Sequence, residues 1–546
     1  ELEDDTECIA NCVLIDNKPK VTDDGFIYSY RFNDQNYKLK EGKAAFDAHQ
    51  IKGIGTIYSI EEKFPDKNIV KIFVSKKRKN IEMPSLLTLG NNTPPQVHQH
   101  DQALNKFLND YIENDGKNYK SIMDMLKRSN PDITGVKKGS NLIDEQKELI
   151  SQSIQIVKNL NNSYLSIQGP PGTGKTYSSA NIIIELMKAG KKVGVTSNSH
   201  EAIKTLLIAI EQQAEKQNFE FSGMRKARSS DKYDWKFIKD ITTGKPLNFD
   251  DYLLYAGTSW FFVDPRMNKT LDYLFIDEAG QVALGTTIAN ATAAKNLVLI
   301  GDQMQLSQPM RAKHIGYAKL SSLDFILEDN DTIPPDKGIF LNNTRRLNKK
   351  ICNYISSSFY DSRLTSDPIT KTRSVNLKLD PIKDEGLFYV PIDHTGCSQR
   401  SDEEADLIEK TYNRIIKKEF KVGKKLGKIS SKDIMVVAPY NAQANNIRER
   451  LKKKNDDVRV GTIDLFQGQE AKIVLISMTT SDVESLPRHK DFFFSRNRLN
   501  VAISRAQCVA IIIFNEKLLL ASTNSIEEMK LMNNFCKLLK FKTSYK

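Results

Sequence analysis

A glycine-rich segment that ends in a lysine and a threonine carries the clearest chemistry in this chain. It reads Gly169-Pro170-Pro171-Gly172-Thr173-Gly174-Lys175-Thr176, and Tyr177 follows it. An apolar run at 164–168 precedes it and a helical pattern follows, which is the setting that a G-x-x-x-x-G-K-[ST] loop requires. In such a loop the backbone N–H groups surround phosphates, Lys175 reaches the β- and γ-phosphates, and the Thr176 hydroxyl binds Mg²⁺. The segment predicts a site for a nucleoside triphosphate and Mg²⁺; a glycine-rich turn without a ligand is the structural alternative.

A pair of acids and a glutamine follow later apolar runs. Asp277 and Glu278 come after the run at 271–276, and Gln305 lies beyond the run at 296–300. Because the carboxyl ends of parallel strands share one edge of a sheet, Asp277 can hold the metal there and Glu278 can act as the general base. Gln305 is then placed to sense the γ-phosphate. Adjacent acids after a strand are also common on surfaces, so this prediction depends on the glycine-rich loop.

The elements that must position these residues begin near residue 140. From there apolar strands alternate with amphipathic helices, a pattern typical of parallel α/β sheets. Residues 213–255 are polar and charged, and we predict that they form an insertion. A loop-rich stretch at 363–386 separates two blocks of alternation. The fold class is therefore α/β, with two domains at 140–335 and 336–546.

The chain before residue 140 has a different pattern. Short runs with alternating apolar residues, separated by turn residues, predict strands. A small β-barrel at 1–95 is the natural closure for such strands because it leaves no free edge. Apolar residues at helical spacing after residue 100 predict a helical stalk or linker at 96–139.

Composition excludes several classes of protein. With 39% hydrophobic and 27% charged residues among 546, the chain has material for several cores and is not globally disordered. No apolar stretch approaches the ~18–20 residues that a membrane helix needs. Lys plus Arg exceed Asp plus Glu by 80 − 68 = 12, which suits a polyanionic partner.

The cysteines and the first residues indicate the compartment. Six cysteines are too few for a disulfide scaffold, and no second pair accompanies Cys8 and Cys12 at zinc-site spacing. Because the acidic start is not a signal peptide, we expect a cytoplasmic protein whose thiols are reduced. We also expect a monomer. The chain starts at Glu1 rather than at Met, so we expect a processed chain or part of a longer one.

Further motifs stand in a fixed order between residues 140 and 510, and together they resemble superfamily 1 helicases of the 5′-to-3′, Upf-like branch. Asp277-Glu-Ala-Gly resembles motif II and Gly301-Asp-x-x-Gln-Leu resembles motif III. The other matches are 142–146 (Q motif), 192–200 (motif Ia), 256–259 (the strand end before motif II), 343–348 (motif IV), 460–470 (motif V) and 499–506 (motif VI). The resemblance implies two tandem RecA-like domains that bind ATP and Mg²⁺.

Several nucleotide-site roles come from this resemblance alone. Gln146 would read adenine, Glu470 would bind the ribose or couple hydrolysis to motion, and Arg346 and Arg505 would be arginine fingers. Relatives usually have an aromatic residue before the motif IV arginine, to stack on adenine, where this chain has Arg345. A guanidinium can also stack, and a solvated surface arginine is the alternative. Tyr177 is a candidate to compensate.

Nucleic-acid contacts are expected from small hydrogen-bonding residues at strand ends, which suit phosphate oxygens. These are Thr196, Ser197, Asn198, Thr258 and Thr462. Basic runs at 76–79, 424–425 and 452–454 can add to a groove, although such runs are more often solvated surface.

The resemblance implies an ATP-driven helicase or translocase on single-stranded nucleic acid, with DNA favoured over RNA. An alternative is a nucleic-acid-dependent ATPase that remodels protein–nucleic-acid complexes without separating strands. A scaffold with a degenerate site is a further alternative, against which the intact catalytic set argues. The wording of several segments, including Asp402-Glu-Glu-Ala, is closest to a bacterial subgroup with an N-terminal RecB-like nuclease. Such a nuclease would precede residue 1.

Overall fold

The structure is a computed structural model. It describes the chain apart from residues 1–7, 17, 34, 36, 38, 51, 62–67, 78–82, 92–96, 229–230, 243–251, 309–314, 453–456, 467, 483–485, 487–492, 524 and 544–546. Parts of the basic runs 76–79 and 452–454, and Gln467 in the motif V segment, lie outside the described residues. The chain divides into two compact units, Glu1–Val97 and His98–Lys546.

Antiparallel strands form the unit Glu1–Val97. In Asn68–Ser75 the apolar side chains of Val70, Ile72 and Val74 are buried and alternate with less buried residues, as expected for a strand with one inward face. Cys8–Leu14 pairs with Leu86–Asn91 on one side and with Gly25–Phe32 on the other, so the described pairings close into a ring. The strands are Cys8–Leu14, Lys20–Val21, Gly25–Phe32, Ala44–Asp47, Lys52–Glu61, Asn68–Ser75 and Leu86–Asn91.

A parallel sheet forms the first α/β part of the unit His98–Lys546. Its central strands are apolar along their length because helices cover both faces, whereas the two strands nearest one edge, Gly223–Lys226 and Ile238–Ile241, carry charged residues. From edge to edge the order is Ile238–Ile241, Gly223–Lys226, Leu254–Ala256, Val193–Thr196, Leu271–Ile276, Ala294–Gly301, Tyr164–Gln168 and Gly338–Phe340. Its helices are Leu149–Lys158, Lys175–Lys188, His200–Lys216, Ser259–Phe262, Leu284–Ala291 and Ser322–Leu327.

The sheet includes strands in two places where we did not expect them from the sequence. The segment 213–255 does not simply interrupt the α/β pattern, because Gly223–Lys226, Ile238–Ile241 and Leu254–Ala256 extend the sheet at one edge. Strands of three or four residues flanked by polar loops carry too little periodicity to be recognised. At the other edge, Gly338–Phe340 pairs with Tyr164–Gln168, so the first sheet continues past residue 335.

The helices His98–Asn114 and Lys120–Leu126 pack against the first α/β part. Phe107, Tyr119 and Ile122 are buried in the same core as Leu271. The Tyr119 hydroxyl also donates to Asn268 Oδ1 at 2.8 Å. The segment predicted as a stalk is thus packed on the sheet that carries the glycine-rich loop.

A second parallel sheet follows in the order Gly386–Pro391, Ala506–Phe514, Ala471–Ser477, Ile434–Ala438 and Val460–Thr462. Its helices are Lys349–Phe359, Asp402–Ile415, Asn441–Lys452, Arg496–Ser504 and Ile526–Cys536. A smaller pairing joins Asn343–Thr344 to Thr365–Ser366. In a separate three-stranded sheet, Glu419–Val422 lies between Arg373–Asn376 and Lys425–Lys428 and pairs with both. The predicted α/β class with parallel sheets is confirmed. Among the described helices, none is both long enough and apolar enough to cross a membrane.

Candidate nucleotide site and strand-end residues

The segment 169–176 forms the connection between strand Tyr164–Gln168 and helix Lys175–Lys188. Gly172 and Gly174 have φ angles of 75° and 83°, a left-handed conformation that glycine adopts without steric cost. Lys175 Nζ donates to Gly169 O at 2.7 Å, so the ammonium group lies on the loop. The loop also leads directly into a helix N-terminus, where negative charge is stabilised. These features fit a triphosphate.

Asp277 and Glu278 follow strand Leu271–Ile276, at the same carboxyl edge of the sheet. Asp277 is buried, and its backbone N–H donates to Thr196 O at 2.9 Å. Burial raises the pKa of Asp277 and the Glu278 charge raises it further, while Lys175 opposes both. A carboxylate in this environment is stabilised by a nearby cation, so the donor set fits Mg²⁺.

The turn after the acids packs closely on the next strand end. Glu278 has a φ of 54°, which is uncommon for a residue with a side chain and is held by a Gln281 N–H···O Glu278 bond of 2.8 Å. A Cβ on Gly301 would lie 2.8 Å from Ala279 N, and a Cβ on Gly280 would lie 2.9 Å from the backbone oxygen of Asp302. Glycine at both positions lets the two backbones approach, which brings the Glu278 turn against the strand end that precedes Gln305.

The second α/β part touches the glycine-rich loop directly. The Thr344 hydroxyl donates to Pro171 O at 2.7 Å, and the Arg345 N–H donates to Gly172 O at 2.9 Å. A Cβ on Gly172 would lie 2.3 Å from Arg346 Cβ. The segment predicted as motif IV therefore lies against the tip of the loop.

Arg346 is held by an acidic partner from the motif V segment. Its Nε donates to Glu470 Oε2 at 2.6 Å, and Gln507 Nε2 donates to Glu470 Oε1 at 2.6 Å. Burial raises the pKa of Glu470, but the charge and hydrogen bond of Arg346 and the hydrogen bond of Gln507 outweigh it, so this pKa is lowered. Glu470 is thus ionised and fixes the direction of the Arg346 side chain.

Arg505, which follows helix Arg496–Ser504, is a buried cation. Burial and the charge of the neighbouring Arg346 together lower its pKa to about 9, although Glu278 counteracts both. Arg505 Nη1 donates to Gln469 O at 3.1 Å, whereas its buried Nε has no hydrogen-bond partner among the described residues. A buried guanidinium with an unpaired N–H beside a second arginine is suited to an anion.

Other predicted nucleotide contacts lie further out. Gln146 is exposed in the loop before helix Leu149–Lys158, and Tyr177 is exposed in the first turn of helix Lys175–Lys188. The Arg345 side chain is 72% exposed, with Nε 3.4 Å from Asp367 Oδ2. A cleft of about 700 Å³ opens beside the Gln146 loop, and its lining includes Asp144, Lys147, Phe340 and Arg363. The roles of Gln146, Tyr177 and Arg345 at adenine stay predictions.

The predicted nucleic-acid contacts fall into separate groups. Thr196 and Ser197 are buried at the end of strand Val193–Thr196, and the Asn198 side chain donates to Gln281 O. Thr258 follows the neighbouring strand Leu254–Ala256 at the same edge. Thr462 ends strand Val460–Thr462 in the other sheet.

Several residues that build the site were not predicted from the sequence. Thr344 and Gln507 stand within or beside matched motifs, but their partners lie far away along the chain. Asp302, also buried, receives Gln305 Nε2 on Oδ2 at 2.8 Å, so Gln305 is bound to its own turn. The strand-end position of Asp302 was the available signal.

Comparison with known proteins adds to this geometry. Two family models, each described as an AAA domain, match residues 152–310 and 321–517. The chain is 25% identical over 406 residues to the DNA polymerase alpha-associated DNA helicase A of Schizosaccharomyces pombe, an alignment that covers 62% of this chain and 59% of that protein.

Two other relatives are named for different processes. The chain is 26% identical over 395 residues to the DNA replication ATP-dependent helicase/nuclease DNA2 of Homo sapiens, covering 65% of this chain and 36% of that protein. It is 26% identical over 426 residues to the Regulator of nonsense transcripts 1 homolog of Neurospora crassa, covering 68% and 38%. The chain thus spans less than two thirds of the length of each of these relatives.

Proposed function

We propose that this chain is an ATP-dependent helicase or translocase of superfamily 1B that acts on single-stranded nucleic acid. The observation that carries the proposal is the contact between the glycine-rich loop of one α/β part and residues 344–346 of the other. An ATPase site shared between two such parts can convert hydrolysis into their relative motion. The similarity to proteins named as helicases supports the same conclusion.

The charges at the site suggest a division of roles in hydrolysis. Lys175 leaves Gly169 O and binds the β- and γ-phosphates, while Glu278 orients the attacking water and accepts its proton. Thr176 and Asp277 would hold Mg²⁺, which when bound neutralises phosphate charge. Gln305 would keep one amide N–H on the neighbouring carboxylate and donate the other to the γ-phosphate.

The arginines act on the transition state. Arg346 and Arg505 come from the second α/β part and neutralise the charge that develops on the transferred phosphoryl group. The buried Nε of Arg505 supports this role, because it has no hydrogen-bond partner in the part of the chain that the structure describes and so leaves a donor for the phosphoryl group. Glu470 keeps Arg346 in place through their 2.6 Å ion pair.

We expect the single-stranded nucleic acid to pass the residues at the carboxyl ends of the β-strands. Thr196, Ser197, Asn198 and Thr258 stand at the carboxyl edge of the first sheet, and Thr462 stands at that of the second. In our proposal the nucleic acid contacts the carboxyl edges of both sheets, so that opening and closing of the two α/β parts moves the nucleic acid. The finer parts of the proposal are 5′-to-3′ travel, a preference for DNA, and an accessory role for a barrel formed by residues 1–95.

ATPase activity titrated with single-stranded DNA and with RNA tests the proposal. We expect stimulation by at least one of them, and DNA to be the stronger, with Lys175→Ala as the inactive control. Strand displacement on substrates with 5′ or 3′ overhangs then tests direction, and we expect activity on the 5′ overhang. ATPase stimulation without displacement would favour remodelling of protein–nucleic-acid complexes. An ATPase that neither strand stimulates would contradict the proposal.

A further inference from the structure

A buried carboxylate joins the strand end of Gln305 to the second α/β part. Asp302 Oδ2 accepts the Tyr360 hydroxyl at 2.6 Å and Gln305 Nε2 at 2.8 Å. Its Oδ1 accepts the Met304 N–H at 3.2 Å. Because both side-chain donors share one oxygen, the position of Tyr360 affects how firmly Gln305 is held.

Tyr360 belongs to the second α/β part, directly after helix Lys349–Phe359, and its ring is fully buried. While its hydroxyl donates to Asp302, it accepts Asn500 Nδ2 at 2.8 Å. Burial raises the pKa of Tyr360 well above its ordinary value and the Asp302 charge adds to this, so the phenol keeps its proton. The direction of both hydrogen bonds is therefore fixed.

Asn500 connects this pair to the helix that precedes Arg505. It lies in helix Arg496–Ser504, and its Nδ2 also donates to Met304 O at 2.7 Å. The same helix is tied to the first α/β part by Arg496, whose Nη1 and Nη2 donate to Asp331 at 3.1 and 2.7 Å. The helix end that places Arg505 is thus bonded to the strand end that places Gln305.

We propose that Tyr360 is a positioning residue that keeps Gln305 and Arg505 in register across the two α/β parts through its hydrogen bonds to Asp302 and Asn500. This inference rests on the proposed function of the same site. Removing the hydroxyl would leave the buried Asp302 with one donor fewer and the Asn500 amide with an unpaired proton. The bonds of Asn500 to Met304 O and of Arg496 to Asp331 would remain, so Gln305 and Arg505 would be held less firmly relative to each other rather than separated. The glycine-rich loop makes none of these bonds.

Tyr360→Phe removes the hydroxyl and keeps the ring, and Tyr354→Phe is the matched control. Tyr354 is a buried tyrosine in helix Lys349–Phe359, and its hydroxyl donates to Asn534 O at 3.4 Å. Steady-state ATPase of the full chain, with and without single-stranded DNA, gives kcat and KM. We expect Tyr360→Phe to lower kcat about tenfold with KM for ATP changed less than about twofold. We expect Tyr354→Phe to change both by less than twofold.

A double-variant cycle separates positioning from simple loss of stability. We expect Asp302→Asn to lower kcat as well, and we expect the double variant Tyr360→Phe/Asp302→Asn to be no slower than the slower single variant. If Tyr360→Phe lowers Tm by more than Tyr354→Phe does, a second variant is needed. Asn500→Leu removes the hydrogen bond to Tyr360 from the other partner, and we expect it to lower kcat with unchanged KM for ATP.

The outcomes distinguish this inference from the proposed function. Equal kcat for Tyr360→Phe and Tyr354→Phe, or strictly multiplicative effects in the double variant, would overturn the positioning role. A wild-type ATPase that no strand stimulates would contradict the helicase proposal, but the ratio of kcat between Tyr360→Phe and wild type would still test the connection.

Discussion

Replacing Arg346 by alanine is expected to lower kcat by about 10²–10³-fold while KM for ATP changes less than about threefold. Its neighbour Arg345 offers a matched substitution on the same turn of chain. The Arg346 side chain is 13% exposed and that of Arg345 is 72% exposed. The pair therefore separates a cation inside the cleft from a cation at its surface.

The magnitude for Arg346 follows from its surroundings. A preorganised donor aimed at developing charge contributes roughly 3–4 kcal/mol to transition-state stabilisation. Arg346 also lowers the pKa of Arg505, so its removal relieves repulsion and strengthens the remaining cation. This partial compensation is why we expect a loss below the roughly 10⁵-fold effect that an arginine finger can reach.

Arg345 is expected to behave differently. Its 3.4 Å pair with the half-buried Asp367 leaves the guanidinium itself exposed, and ion pairs at the surface contribute about 0–1 kcal/mol to stability. If its guanidinium stacks on adenine, Arg345→Ala raises KM for ATP about three- to tenfold and leaves kcat within about twofold. Arg345→Tyr should restore or improve the affinity for ATP.

Steady-state ATPase with ATP and with GTP, at saturating single-stranded DNA, measures all three variants. Loss of preference for ATP over GTP in Arg345→Ala would support stacking. Equal kinetic profiles for Arg345→Ala and Arg346→Ala would refute the division of labour. An unchanged KM for ATP in Arg345→Ala would indicate that Arg345 is a solvated surface residue without a role at adenine.

The remaining predictions concern the first α/β part. Lys175→Ala should reduce ATP turnover below about a tenth of wild type in an ATPase assay, because the loop loses its side-chain cation; higher turnover would contradict the phosphate assignment. Glu278→Gln should preserve ATP binding in a nucleotide-binding titration while hydrolysis collapses, since Asp277 is untouched; lost affinity or normal hydrolysis would contradict the general-base role. Gly301→Ala should lower stability by about 1–3 kcal/mol in thermal melts, because its Cβ would meet backbone 2.8 Å away, whereas Gly285→Ala, with open space around it, should be neutral or stabilising. Equal Tm values for these two glycine variants would refute the close approach.

The α/β class and the strand–loop–helix context of residues 169–176 were predictable because both depend on short stretches of sequence. A strand, a glycine turn and a helix start are set by residues within a few positions of each other. The strands within the segment 213–255 were not predictable, because local patterns of this kind need a longer run of residues. Its strands are too short to show a period, and they are stabilised by pairing with Leu254–Ala256 and its neighbours.

The sequence by itself determined which chemical groups are available: a phosphate-binding loop, adjacent acids after a strand, and arginines in a later segment. The tertiary structure decided which of them meet. Thr344 reaches Pro171 across 173 positions, Glu470 pairs with Arg346 across 124, and Tyr360 joins Asp302 across 58. Such partners depend on strand order and on the packing of the two α/β parts. Both arise from burial summed over many residues rather than from the local pattern around any one of them.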